Sequence, residues 1–214
     1  DHAGNAPLPR YLDAIAAKRS RAVVVCGGNE GNAGHHYQGN MEPSSRSGGA
    51  AVKPVEVRVA ENAEGFVMEL WGNVPDVFTV SVRSPGGETI PSIRLGIQDS
   101  ITYSFVYERT KITIAGTLVE PSSGEEMILL RVAQPTPGIW TFLVEAVGSV
   151  HNGSFHMWLP ITQFMSAPAY FLEASPYITL TEPAMARDVI SVSTYNAANN
   201  SFYIDSGRGF TRNN

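Results

Sequence analysis

Between residues 55 and 160 the chain is built of short runs that alternate apolar and polar residues, with no helical spacing between them. Val55, Val57 and Val59 alternate with Glu56 and Arg58, the pattern of a half-buried strand. Further runs lie at 66–71, 77–83, 101–107, 111–116, 127–132, 139–146 and 154–159. In the run 101–107, Ile101, Tyr103, Phe105 and Tyr107 share one face. Turn chemistry separates the runs at 84–87, 121–124, 135–138 and Asn152-Gly153. Roughly eight or nine strands in succession predict a β-sandwich, most simply of jelly-roll type. Trp71, Trp140 and Trp158 offer a sugar-stacking platform, although Trp140 lies in register with Phe142 and Val144 and reads as core. Trp158 shares a face with His156, opposite Phe155, Met157 and Leu159, so an exposed aromatic is expected there, with His156 on a solvated face and His151 at a strand end.

The flanks have a different texture. Residues 6–19 read as a helix, with Pro7 or Pro9 in its first turn and Leu8, Leu12 and Ile15 at helical spacing. The run 22–26 follows, short and apolar enough for a strand buried on both faces, with Cys26 a buried, inert thiol. It stops at Gly27-Gly28, where the backbone is free to turn. Asn29 then stands at the C-terminal end of the strand, where open α/β sheets bind ligands. Its amide suits either of two roles: donor to a developing oxyanion, or turn residue. Residues 32–54 are rich in Gly, Ser and Asn and read as a loop, with His35-His36 an exposed pair and not a metal site. Residues 175–184 are extended, and 189–192 form a second short buried strand, a parallel neighbour of 22–26.

Composition excludes several classes. A net charge of −5 with scattered Lys and Arg argues against nucleic acid as partner. No apolar run approaches the ~20 residues of a membrane span. One cysteine leaves no internal disulfide framework and no cysteine-based zinc site. No signal-peptide pattern opens the chain, and Asp1 reads as the start of an excised segment.

Two stretches together resemble the middle of a subtilisin-like serine protease (subtilase, peptidase family S8). They are Val23-Val-Val-Cys-Gly-Gly-Asn-Glu-Gly31, and Val189-Ile-Ser-Val-Ser-Thr194 with Asp205-Ser-Gly207. Cys26 and Gly27 replace a pair of small alanines of that family, while Gly28-Asn29 is kept. The resemblance, which covers about two-fifths of the chain, implies a mainly β protein in which a jelly-roll-like sandwich is inserted into a partial α/β domain with a parallel sheet. Residues 1–49 would be the first subtilase-like portion, 50–160 the insertion and 161–214 the continuation. An insertion at this place is a feature of clostridial germination-type subtilases. The same resemblance makes Glu182-Pro183 a candidate cis bond.

The resemblance also implies roles. Asn29 would be the oxyanion-hole donor, and Gly27, Gly28, Glu30 and Thr181 would line the pocket for the side chain preceding the cut bond. No cofactor is implied, and a structural calcium ion is compatible with the full-length parent. The partners implied are a peptide or protein substrate of that parent and the rest of the protease domain, with self-association through exposed strands. A bacterial protein, secreted, at the cell surface or associated with the spore, is expected. The Asp-Thr-Gly, His-Gly-Thr and Gly-Thr-Ser boxes of the family are all missing, and His2 lacks the Gly-Thr of the catalytic histidine. The chain thus reads as a central fragment, inactive alone. The alternative is a non-catalytic module: a carbohydrate- or protein-binding jelly roll, or a pseudoprotease segment.

Overall fold

The computed structural model describes residues 2–42, 52–92 and 99–212. One helix, α1 (Pro7–Ala16), precedes fifteen strands among the described residues. They are β1 (Val24–Cys26), β2 (His36–Asn40), β3 (Val52–Val59), β4 (Gly65–Gly72), β5 (Phe78–Arg83), β6 (Thr89–Ile90), β7 (Asp99–Ser104), β8 (Lys111–Thr117), β9 (Glu126–Ala133), β10 (Gly138–Ala146), β11 (Ser154–Trp158), β12 (Ala169–Phe171), β13 (Ile190–Val192), β14 (Tyr195–Asn196) and β15 (Ser201–Phe202). The protein is mainly β. It divides into two compact units, Tyr37–Ala174 and a unit made of Asp1–His36 with Ser175–Asn214.

The larger unit is a β-sandwich. One sheet has the order β12-β3-β10-β5-β6 and the other β2-β11-β4-β9-β8-β7. Consecutive strands β3, β4 and β5 alternate between the sheets, which closes the core between them. In β3, Val55, Val57 and Val59 point inward, facing Phe142, Trp140 and Gly138 of β10 in antiparallel register. In the other sheet Phe66, Met68 and Leu70 face Val132, Leu130 and Ile128. Apart from Gly138, all are buried in one continuous cluster, as period-two alternation requires of a sheet with one covered face. The run 101–107 is shorter as a strand than its alternation suggests. β7 ends at Ser104; Phe105 still reaches the core, edge-on to Trp140 at 5.3 Å, while Tyr107 is 87% exposed.

Two strands of the sandwich, β2 and β12, come from stretches in which the sequence shows no strand pattern. β2 buries His36, Tyr37 and Gly39. Gly39 is required there, since a Cβ would lie 2.1 Å from the Phe155 ring. Tyr37 packs between Phe155 (6.1 Å) and Phe171 of β12 (5.8 Å). The sequence-based border at 49/50 lies outside the described residues. The units divide at 36/37 and 174/175, because β2 and β12 pair into the sandwich sheets.

The tryptophans correct the expectation of an exposed aromatic. Trp71, Trp140 and Trp158 are all buried. Trp140 donates its indole N–H to Thr136 O, Trp71 donates to Glu69 Oε2, and Trp158 stacks on His156 at 5.3 Å, so each is a core residue with its polar edge or ring face satisfied. His156, expected on a solvated face, is buried beneath that stack. His151 does sit at a strand end, with its backbone N–H donated to Asp76 Oδ1.

The smaller unit holds α1, the parallel pair β1–β13 and the hairpin β14–β15. Val24, Val25 and Cys26 pair with Ile190, Ser191 and Val192. The strands are parallel neighbours, as expected, but not buried: Val24 is 62% exposed and Ile190 56%. Cys26 is exposed as well: the two strands meet the 3-10 helix Glu182–Met185, where Ser191 donates from Oγ to Ala184 O, but in β1 this leaves Val25 half-buried and Val24 and Cys26 open. In α1, Leu8 and Tyr11 of the apolar stripe are exposed. The Glu182-Pro183 bond is trans, with Pro183 in the first turn of the 3-10 helix Glu182–Met185; among the described residues the cis X-Pro bond is Val74-Pro75.

Candidate functional site

The turn after β1 gathers the residues that the motifs single out. Gly27 N–H continues the parallel ladder by donating to Val192 O at 2.9 Å, and beyond it the chain swings away from β13. Both glycines are fixed by what lies against them. A Cβ at Gly27 would meet Leu180 and Ser193 Oγ at 3.2 and 3.5 Å. Gly28 adopts φ +92°, and a Cβ there would lie 2.5 Å from Thr181 Cγ2. A glycine is the residue that meets both demands at position 28, a left-handed backbone and no side chain.

The turn is held from two sides. Thr181 N–H donates to Gly27 O at 3.1 Å, and Gly207 N–H donates to Gly28 O at 2.9 Å. Two residues past Asn29, Gly31 N–H donates to Asp205 O at 3.0 Å. The stretch Asp205-Ser-Gly207 is thus clamped onto Gly28–Gly31, which explains why two motifs far apart in sequence belong together. Ser206 adds a bond from Thr194 N–H to its Oγ, 3.0 Å, and Ser193 donates from Oγ to Gly207 O, 3.1 Å. Pinned on both sides, Asn29 is left exposed, and no described residue bonds to its side-chain amide.

Glu30 turns the other way. It is 5% exposed, and its Oε2 lies 2.7 Å from His35 Nδ1. His35 is 8% exposed and His36 fully buried, with Nδ1–H donated to Tyr177 O. The pair expected as an exposed loop feature is therefore internal. Alternation along the chain sends the two rings in opposite directions, one to close the turn on Glu30 and one to the carbonyl of Tyr177. The Gly/Ser/Asn-rich composition concealed this, and a carboxyl five residues before His35 was the available signal.

Asn29, Gly27, Gly28, Glu30 and Thr181 thus lie in one turn and the segment packed against it. Thr179 and Ser193, which sequence reasoning passed over, hold the same place together: Thr179 exchanges bonds with Arg208 through N–H to Arg208 O and Arg208 N–H to Oγ1, both 3.0 Å. Chemically, the arrangement presents one uncharged amide donor on a rigid loop at the end of a parallel strand, over a floor of backbone too close-packed for side chains. No group of three or more His, Cys, Asp or Glu side chains is placed to hold a metal among the described residues. No helix there is long and apolar enough to cross a membrane.

No family model and no curated protein matches the chain. Among solved structures it is similar to the Clostridium perfringens CspB protease, with a TM-score of 0.84 at 28% identity over 99% of this chain. The chain spans 43% of that protein's length. Its fold is therefore subtilase-like, that of part of a protease.

Proposed function

We propose that the chain is a segment of a subtilisin-like serine endopeptidase whose Ser–His–Asp triad lies outside these residues. The observation that carries this reading is the exposed Asn29 on a turn clamped by Thr181 and Gly207 at the end of a parallel strand, in a chain similar along its length to a protease. In acyl transfer by such a triad, serine attacks the scissile carbonyl and the carbonyl oxygen takes up negative charge. Asn29 donates its amide N–H to that oxygen. The charge exists mainly in the transition state, so the donor acts on kcat and little on ground-state binding. Gly27, Gly28 and Thr181 form the wall beside the side chain preceding the cut bond. Glu30 belongs to that wall through its main chain, its carboxyl being held by His35.

Asn29→Ala in the full-length parent is expected to lower kcat about 10²–10³-fold with KM nearly unchanged, the loss typical of one oxyanion donor. Steady-state kinetics on a peptide substrate measure this, and an unchanged kcat removes Asn29 from the mechanism. The 214-residue chain by itself is expected to hydrolyse no peptide. Turnover of a broad peptide library, abolished by a serine-directed phosphonate, would overturn that expectation.

A further inference from the structure

We propose that a groove of the smaller unit docks an extended peptide bearing an acidic side chain, with Arg208 as the residue that binds the carboxylate. The groove has a volume of about 730 Å³ and is lined by Tyr177, Ser193, Phe202, Ile204, Gly207 and Arg208 among others. That size falls within the range of ligand sites, roughly 300–1,000 Å³. Its walls are apolar and open: Tyr177 is 58% exposed, Phe202 50% and Ile204 56%.

Arg208 is the charged residue of this lining. Its guanidinium carbon lies 4.9 Å from the Phe202 ring centroid and 5.8 Å from that of Tyr177, so the cation rests between two aromatic faces. Its backbone is fixed by the exchange of bonds with Thr179, which sets where the side chain starts. Arg208 Nε is buried without a hydrogen-bond partner, and no carboxyl among the described residues pairs with the guanidinium. Stacking occupies the faces of the guanidinium and leaves its two terminal amines, which bond to no described residue, to meet a carboxylate bidentately. Charge complementarity thus selects an anion, and the apolar rings on either side of it select apolar neighbours. A peptide with an acidic residue between apolar ones supplies both. Gly207 and Ser193 bring the groove up to Gly27–Gly28, but its binding is read without turnover and does not depend on the protease reading.

The test is fluorescence anisotropy of the 214-residue chain with labelled, end-blocked peptides. The sequence Leu-Ala-Glu-Leu-Ala is compared with its Gln counterpart, and with the Gln peptide carrying a free C-terminal carboxylate. The Glu peptide is expected to bind at least ten-fold more tightly than the blocked Gln peptide, with the advantage shrinking as salt rises. Arg208→Met should abolish the advantage and Arg208→Lys should keep part of it, in proteins whose circular dichroism is unchanged. If Arg208→Met does not fold, Phe202→Ala, on the exposed hairpin, serves instead and should weaken both peptides. Equal affinity for Glu and Gln peptides, no binding at millimolar peptide, or an advantage that survives Arg208→Met would overturn the proposal. So would preference for the free C-terminus, or displacement by inorganic phosphate alone, which would mark a chain-end or simple anion site.

Discussion

Glu126 illustrates how much a single side chain depends on its surroundings. It is 5% exposed, and burial pushes its carboxyl up to about 7, although Phe78 N–H donates to Oε2 at 2.8 Å and works in the opposite direction. In the unfolded chain the group ionises near the ordinary glutamate value of 4.5. Below that pH both states carry the proton and nothing is lost. As pH rises from about 4.5 to about 7, the unfolded state ionises first and folding loses stability, on the order of 3 kcal/mol in all. Glu126→Gln keeps an acceptor for Phe78 and removes the ionisation. Its thermal midpoint is expected to match the parent near pH 4.5, exceed it above pH 7, and vary less between. Asp76 behaves in the reverse sense: burial raises its carboxyl, but N–H groups of Gly153, His151 and Asn152 outweigh that and hold it low. At this scale the sequence was a partial guide. Gly27, Gly28 and Asn29 were legible because a broken apolar run marks a turn. The exposure of Cys26 and the burial of His35 were not, because each depends on what lies across the fold and not on neighbours in the chain.

At the scale of elements, strands with clean alternation were readable to within a few residues, as β3 and β10 show. The pairing of β1 with β13 was readable from two short apolar runs, though β1 proved three residues long and not five. β2 and β12 were not, since His36-Tyr-Gln-Gly-Asn40 and Ala169-Tyr-Phe171 carry few β-branched residues and sit among Gly, Ser and Pro. They are nonetheless part of the core. Phe171 is 2% exposed and packs on Tyr37, while β12 pairs with β3 over 57–59. Phe171→Ala should therefore destabilise the sandwich by about 3–5 kcal/mol, the usual cost of emptying a buried aromatic site. Urea unfolding followed by tryptophan fluorescence measures it. A cost under about 1 kcal/mol would make β12 a surface strap.

For the whole molecule, the two units differ in what they bury. The sandwich has one continuous core, whereas the smaller unit leaves Val24, Ile190 and Val192 open on a two-stranded sheet. Residues 37–174 expressed alone are expected to unfold cooperatively and sediment as a monomer. A shorter piece, 55–160, lacks Tyr37, Met41 and Phe171 of the core and should melt at a lower temperature. The 214-residue chain is expected to self-associate through its open sheet, and Val24→Lys with Ile190→Lys to reduce this in sedimentation velocity. A monomeric chain at 100 μM would show that those faces are harmless. The chain leaves the smaller unit at His36 and rejoins it at Ser175, where Ser175 N–H donates to His36 O at 2.8 Å. Two chain ends so placed can be spliced by a linker of a few residues. The sandwich is therefore open to circular permutation, with new termini cut at Gly124, a left-handed turn residue with open space around it. The same closeness makes the sandwich a transplantable cassette, able to be spliced into any surface loop whose two ends lie a single hydrogen bond apart.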